Sequence, residues 1–230
     1  MKLTWLGHSG FRLEWGGARV LIDPWLVNNP SFDEARRGEA IKGATHVLLT
    51  HGHFDHAEDT VAIARELGIP VVGCFDLMNF WAETEGIETT GFNKGGTVRL
   101  ADLAVTMVNA SHSSSMPGVE TPTYAGAEVG YMIAHEGRTL YVSGDTDVMA
   151  DMDWMGELHA PQVGILSCGG HFTMDMGRAA WAAKRYFDFE TVVPCHYGTF
   201  PLLEQSADRL KTDLPGVDVR TPAVMETIEI

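Results

Sequence analysis

The segment Thr50–Asp59 reads THGHFDHAED and sets His51, His53, Asp55 and His56 within six positions. Imidazole and carboxylate at this density are suited to holding cations. A zinc-protease helix places two histidines four apart, so that both project from one face. His51 and His53 are two apart, which suits an extended or looping chain, with Gly52 relieving the crowding between them. Asp55 and His56 are adjacent and point in different directions from the first pair. The segment therefore suits two neighbouring metals rather than one. It cannot complete both sites, because zinc-like ions take about four ligands each and keep a position open to water in catalytic sites. The missing donors must come from elsewhere, and His112, Asp145 and His196 are well placed to supply them. A carboxylate such as Asp145 can bridge two cations and offset their repulsion.

These residues share a position relative to the elements that must carry them. Apolar runs bounded by Gly, Pro, Asn or Ser read as strands. Lys2–Leu6 leads into His8, Arg19–Ile22 into Asp23, and His46–Thr50 into His51. Leu103–Val108 leads to His112, Thr139–Val142 to Asp145, Gln162–Leu166 to His171, and Thr191–Val193 to His196. Layered α/β folds build their sites at the carboxyl ends of strands, where loops converge on a rigid frame. One such histidine means little; seven strand ends of this kind argue for a shared site. Helices are predicted over Asp59–Leu67, with Asp59 at the N-cap and Gly68 as the stop, over Asp175–Phe187, and over Leu202–Leu214 before Pro215-Gly216. Pro70–Gly73 opens a further strand. Strands before, between and after the helices predict an α/β fold of helix-covered sheets, in one domain over residues 1–230. Asn28–Ala44 and Ser113–Ala127 read as loops, the second directly after His112, where lids or specificity elements occur.

Composition narrows the function. The chain has 230 residues, 45% hydrophobic and 20% charged, in the ordinary range for a soluble globular protein. With 16 basic and 31 acidic residues its formal charge is −15, which opposes non-specific nucleic-acid binding but not a local metal-containing cleft. No run approaches the roughly 20 apolar residues of a membrane span. The start MKLTWLGHSGF lacks a signal peptide's apolar stretch, so a cytoplasmic location is the expectation. Cys74, Cys168 and Cys195 are odd in number and far apart, suggesting buried thiols rather than disulfides or a CxxC zinc site.

HGHFDH, a later histidine, the SGDT aspartate and the PCHYGTF histidine together resemble the metallo-β-lactamase superfamily, in matching order along nearly the whole chain. The flanking GHSGF, LIDPW, YVSGDT, GGHFTM and VPCHYGTFPLL are similar to its UlaG-like, UPF0173-type group of metal-dependent hydrolases. The resemblance implies a four-layer αββα sandwich with the site at one edge of the two sheets. It implies that His51, His53 and His112 hold one metal, that Asp55, His56 and His196 hold the second, and that Asp145 bridges them. Zinc is the first expectation, with manganese or iron also suited to mixed N/O donors.

Two such ions about 3.5–4 Å apart make a hydroxide at neutral pH that attacks a carbonyl or phosphoryl centre, the metals stabilising the developing oxyanion. This predicts a dinuclear hydrolase of a small-molecule ester, lactone or phosphoester, with Asp55 also orienting the nucleophile. His8 and His171 are candidate proton donors or substrate contacts. Asp23 is expected behind the ligands, fixing a histidine tautomer. The alternatives are a nuclease or phosphodiesterase of the same fold, opposed by the charge, and a non-catalytic metal-binding regulatory protein, opposed by the intact ligand set. A di-iron redox protein is opposed by His53, where such relatives carry glutamate, and by the lack of room for a flavin domain. Relatives of this kind often form homo-oligomers, and the resemblance does not name the substrate.

Overall fold

Each predicted strand forms, because runs rich in Val, Ile and Leu bury both faces of a pleated chain. The computed structural model describes residues 1–230. The first half builds β1 (Lys2–Gly7), β2 (Gly10–Trp15), β3 (Ala18–Ile22), α1 (Arg37–Ile41), β4 (His46–Leu48), α2 (Phe54–Ala57), α3 (Thr60–Leu67), β5 (Val71–Cys74), α4 (Phe75–Glu85) and β6 (Thr89–Phe92). The second builds β7 (Thr97–Leu100), β8 (Leu103–Asn109), β9 (Val129–His135), β10 (Arg138–Val142), α5 (Met152–His159), β11 (Val163–Ser167), α6 (Met176–Tyr186), β12 (Thr191–Cys195), α7 (Asp208–Asp213), β13 (Asp218–Val219) and β14 (Thr227–Glu229).

The strands make two seven-stranded sheets, in the orders β14-β1-β2-β3-β4-β5-β6 and β13-β12-β11-β10-β9-β8-β7. Successive residues serve opposite faces. Val47 and Val71 face helices while their neighbours Leu48 and Val72 face the other sheet. Leu3, Phe11, Val20, Val105, Ile133, Val163 and Val193 complete the core between the sheets. Ile41, Ile63, Leu77 and Trp81 pack α1, α3 and α4 on the outside of the first sheet. Met155, Ala179, Ala183 and Leu210 pack α5, α6 and α7 on the outside of the second. The result is the predicted αββα sandwich.

Strand direction sets where the site can form. β1 and β3 both run antiparallel to β2, and β4 runs parallel to β3. β8 and β10 both run antiparallel to β9, with β11 and β12 parallel to β10. Within each sheet, the strands that carry the candidate residues thus deliver their carboxyl ends to one edge.

Local departures have local causes. Asn28–Ala44 is not wholly loop: Asp33 accepts a hydrogen bond from the Ala35 N–H, starts a 3-10 turn over Glu34–Arg36 and leads into α1, whose Ala40 and Ile41 are buried. The predicted helix over Leu202–Leu214 is confined to Asp208–Asp213. Upstream, Glu204 gives its N–H to the Gly169 carbonyl and its carbonyl to the Gly198 N–H, so tertiary partners hold the backbone that a helix would need. Asp59 does precede α3, but its carboxylate does not cap that helix; it accepts from the Leu26 and Val27 N–H groups. Asp175, the first residue of a predicted helix, caps α6, accepting from the Arg178 N–H. Ser113–Ala127 is a loop with one bridge, Ser115 to Tyr124. All three cysteines are buried and free. No helix is long and apolar enough to cross a membrane.

Candidate metal centre

His51 leaves β4 through Leu49 and Thr50, and His53 stands at the N-cap of α2, with extended backbone. One turn of α2 then aims Asp55 and His56 inward. Gly52 is required here by a neighbour rather than by its own histidines: a Cβ would lie 2.5 Å from the Ser115 carbonyl oxygen and 2.9 Å from Ala125 Cβ. Its N–H donates to Ser114 Oγ at 3.1 Å, which pins the loop after His112 beside the motif.

The structure brings all seven expected ligands together. Donor atoms of His51, His53 and His112 lie within 4.8 Å of one another, as do those of His51, His56 and Asp145, and those of His8, Asp55, His56 and His196. Asp145 Oδ2 joins the groups: it lies 3.0 Å from His196 Nε2, 3.4 Å from His56 Nε2 and 3.6 Å from His112 Nε2. The same His196 nitrogen is 3.7 Å from Asp55 Oδ2.

Behind the donors, Asp23 fixes two tautomers. Its Oδ2 accepts from His56 Nδ1 at 2.8 Å and from the Thr50 hydroxyl at 2.6 Å. That hydroxyl, having spent its proton, accepts from His51 Nδ1 at 3.0 Å. Both histidines therefore turn Nε2 inward. Asp23 Oδ1 accepts the Thr50 N–H at 2.8 Å.

His8 is fully buried, and both its nitrogens are engaged: Nε2 donates to Asp55 Oδ2 at 3.0 Å and Nδ1 faces Thr199 Oγ1 at 2.9 Å. Its carbonyl accepts from Trp5 Nε1 and from the His196 N–H, each at 3.0 Å. These clamps hold left-handed backbone at His8 (φ 50°) and His196 (φ 62°); Asp23 is left-handed as well (φ 44°). Such conformations cost about 1–3 kcal/mol each and gather at functional sites. His171 lies elsewhere. It is exposed in a groove with Asp175 and Glu204, its ring edge-on to Phe172 at 4.6 Å.

Electrostatics favours cation binding. Burial, with the charge of His56 adding to it, pushes the His51 pKa well below the usual histidine value. Burial also lowers His53 and His112, leaving their lone pairs available at neutral pH. Burial opposes charge on His56, yet the Asp145 and Asp23 carboxylates outweigh it and raise that pKa well above the usual value. Burial likewise opposes charge on Asp145 and Asp55, but the surrounding histidines hold both carboxyls ionised far below the ordinary range. His56 Nε2 and Asp145 Oδ1 are buried without hydrogen-bond partners. Unpartnered buried donors and acceptors are costly. A ligand set of imidazoles and carboxylates with such orphaned atoms fits divalent ions, which would take the place of the His56 proton.

The centre forms the floor of a cavity of about 520 Å³, lined at its base by His53, Asp55, His112, Ser113, Asp145 and His196. Phe54, Phe172, Phe200 and Leu202 make its walls. The residues around Phe200 are where the sequence places specificity; for Phe54 and Phe172 nothing in the spacing separates a cavity wall from ordinary core.

An αββα sandwich with a histidine- and aspartate-rich centre at its strand ends defines the metallo-β-lactamase class of hydrolase. Residues 2–196 match the Beta-lactamase superfamily domain. The chain belongs to that superfamily, and within it to the UPF0173 metal-dependent hydrolases. It is 68% identical to a UPF0173 metal-dependent hydrolase of Paracoccus denitrificans and 64% identical to one of Dinoroseobacter shibae, each over 100% of both chains. Among solved structures it is similar to Igni18, a metallo hydrolase of the archaeon Ignicoccus hospitalis, with a TM-score of 0.88 and 32% identity over 99% of this chain and 97% of the other.

Proposed function

We propose that this metal-dependent hydrolase works with two divalent ions on a small ester, lactone or phosphoester. His51, His53 and His112 would hold one ion, Asp55, His56 and His196 the other, with Asp145 between them. The observation that carries this reading is the reach of Asp145 Oδ2 to histidines from both groups, at 3.0–3.6 Å. Zinc suits the imidazole-rich donors, and manganese or iron accepts the same N/O set. Bound ions of this kind supply Lewis acidity, acidifying water and taking up charge on the reacting oxygen.

The protein's own groups divide the remaining work. Asp55 is fixed through Oδ2 by His8 and lines the cavity, where it orients the attacking water. His8, enclosed and doubly bonded, acts through Asp55 rather than on substrate. His171 does not line the cavity but lies in the groove that shares Leu202 with it; its proposed part is to give the leaving group a proton from that side. Loss of turnover with metal retained in His171→Ala supports that role; unchanged turnover removes it.

The test of the whole reading is metal quantification beside a panel of esters, lactones and phosphoesters, with His53→Ala as control. About two equivalents of metal per chain, with turnover lost in the variant, are expected. Full activity in His53→Ala overturns the mechanism, and bound metal without turnover on any substrate favours a non-catalytic metal protein.

A further inference from the structure

Four apolar side chains surround the opening above the centre, and three are largely exposed: Phe54 at 52%, Phe172 at 53% and Leu202 at 53%. Single exposed apolar residues need no explanation, but a cluster around one cavity does. The wall is also braced. Buried Trp25 meets Phe54 edge-on at 5.6 Å and stacks on Phe200 at 5.9 Å, so these two rings are held in place.

Charge is the second observation. No lysine or arginine lines the cavity. The groove that shares Leu202 with it carries Asp175, Glu204 and Asp208, and its one cation, Arg209, lies 3.2 Å from Asp213 in an ion pair. Sites for phosphoryl groups usually supply arginine forks or lysines to the non-reacting oxygens. Here an anionic substrate would find none, and the adjoining groove adds carboxylates.

We propose that the substrate is a neutral ester or lactone whose apolar acyl portion lies against Phe54, Phe172, Phe200 and Leu202. The proposal rests on the hydrolase reading above and narrows it away from phosphoesters. Water oxygen bonds to the carbonyl carbon, the bond from that carbon to the alkoxy oxygen breaks, and one water proton passes to the departing alkoxide. The products are a carboxylate, an alcohol (joined in one molecule for a lactone) and a released proton.

The test uses the metal-loaded full chain with 4-nitrophenyl esters from acetate to octanoate, γ-lactones of matching chain length, and bis(4-nitrophenyl) phosphate. Metal content is measured in parallel. The expected result is a rise in kcat/KM of about fourfold per added methylene until the wall is covered. Ester and lactone arms then separate the linear from the cyclic form of the same chemistry. The Phe172→Ser/Leu202→Ser double variant is expected to lower the octanoate-to-acetate ratio roughly tenfold or more, with metal content kept. Weaker binding of neutral 1-octanol by the same variant, measured by calorimetry, reports the wall without turnover. A flat chain-length series, or phosphodiester preferred over every ester and lactone, overturns this proposal and leaves the hydrolase reading standing. Metal bound with no turnover on any arm overturns both.

Discussion

At the scale of single residues, Asp23 and His8 steady the centre by different means. Asp23 offers two acceptor oxygens to three donors, from Thr50 N–H, Thr50 Oγ and His56 Nδ1. Asn at this position must turn its amide toward one of them, and a donor then faces a donor. Asp23→Asn is expected to weaken metal binding about 10–100-fold, measured by competition with a chromophoric chelator. His8 carries a pH dependence. Burial, reinforced by nearby His196, lowers its pKa from 6.5 to about 4 despite the Asp55 partner. Between those values the unfolded chain binds the extra proton and the folded chain does not, so folding stability rises with pH there. Metal-free protein is therefore expected to lose stability as pH falls from about 6.5 towards about 4. Urea midpoints across that window should show it, and His8→Asn should reduce the slope by up to about 1.4 kcal/mol per pH unit. An unchanged slope would remove His8 as the source. The candidate ligands that the fold brings together were legible from residue type, spacing and the family resemblance, because metal coordination restricts residue type and spacing. The work of His8 was not: what matters is that residues 8 and 55 meet across the fold, and no local pattern encodes that meeting.

At the scale of elements, close approach decides what each segment can be. Gly52 and Gly169 both lie against backbone of the site: a Cβ on Gly52 would meet the Ser115 carbonyl at 2.5 Å, and one on Gly169 would run into the His196 carbonyl. Gly52→Ala is expected to cost about 1–3 kcal/mol in chemical denaturation and to displace the loop after His112, since overpacking against backbone has little room to relax. Wild-type stability in that variant would show that the loop yields freely. Strands were legible because apolar runs with turn residues at their ends leave few other structures. Helices were legible from apolar residues at helical spacing, as in α6, and from a stop, as Gly68 gives α3. The helix in residues 37–41 escaped notice because it is one short turn holding Gly38 in a charged stretch. The helix predicted from Leu202 was too long because Gly169 and Gly198 claim the backbone of Glu204.

At the scale of the whole molecule, the centre joins two bodies of chain. His51, His53, Asp55 and His56 follow strands of one sheet, whereas His112, Asp145 and His196 follow strands of the other. With a formal charge of −15, the folded chain gains from cations held beside Asp55 and Asp145. Ions that bind only the folded form stabilise it by mass action, about 4 kcal/mol when present at a thousand times their Kd. Chelation should therefore lower Tm, and scanning calorimetry with and without chelator would measure it. The two sheets meet in sequence at an exposed turn, Lys94-Gly95, between β6 and β7. Apart from β14, which returns to the first sheet, each side of that turn holds a whole sheet with its own helices. Metal bound at the centre would thus add a rivet to two halves already joined by the core between the sheets. A chain cut after Lys94 and expressed as two fragments should reassemble more tightly when metal is present than when it is withdrawn. Such a split protein would report metal availability by fragment complementation, quite apart from any reaction it catalyses.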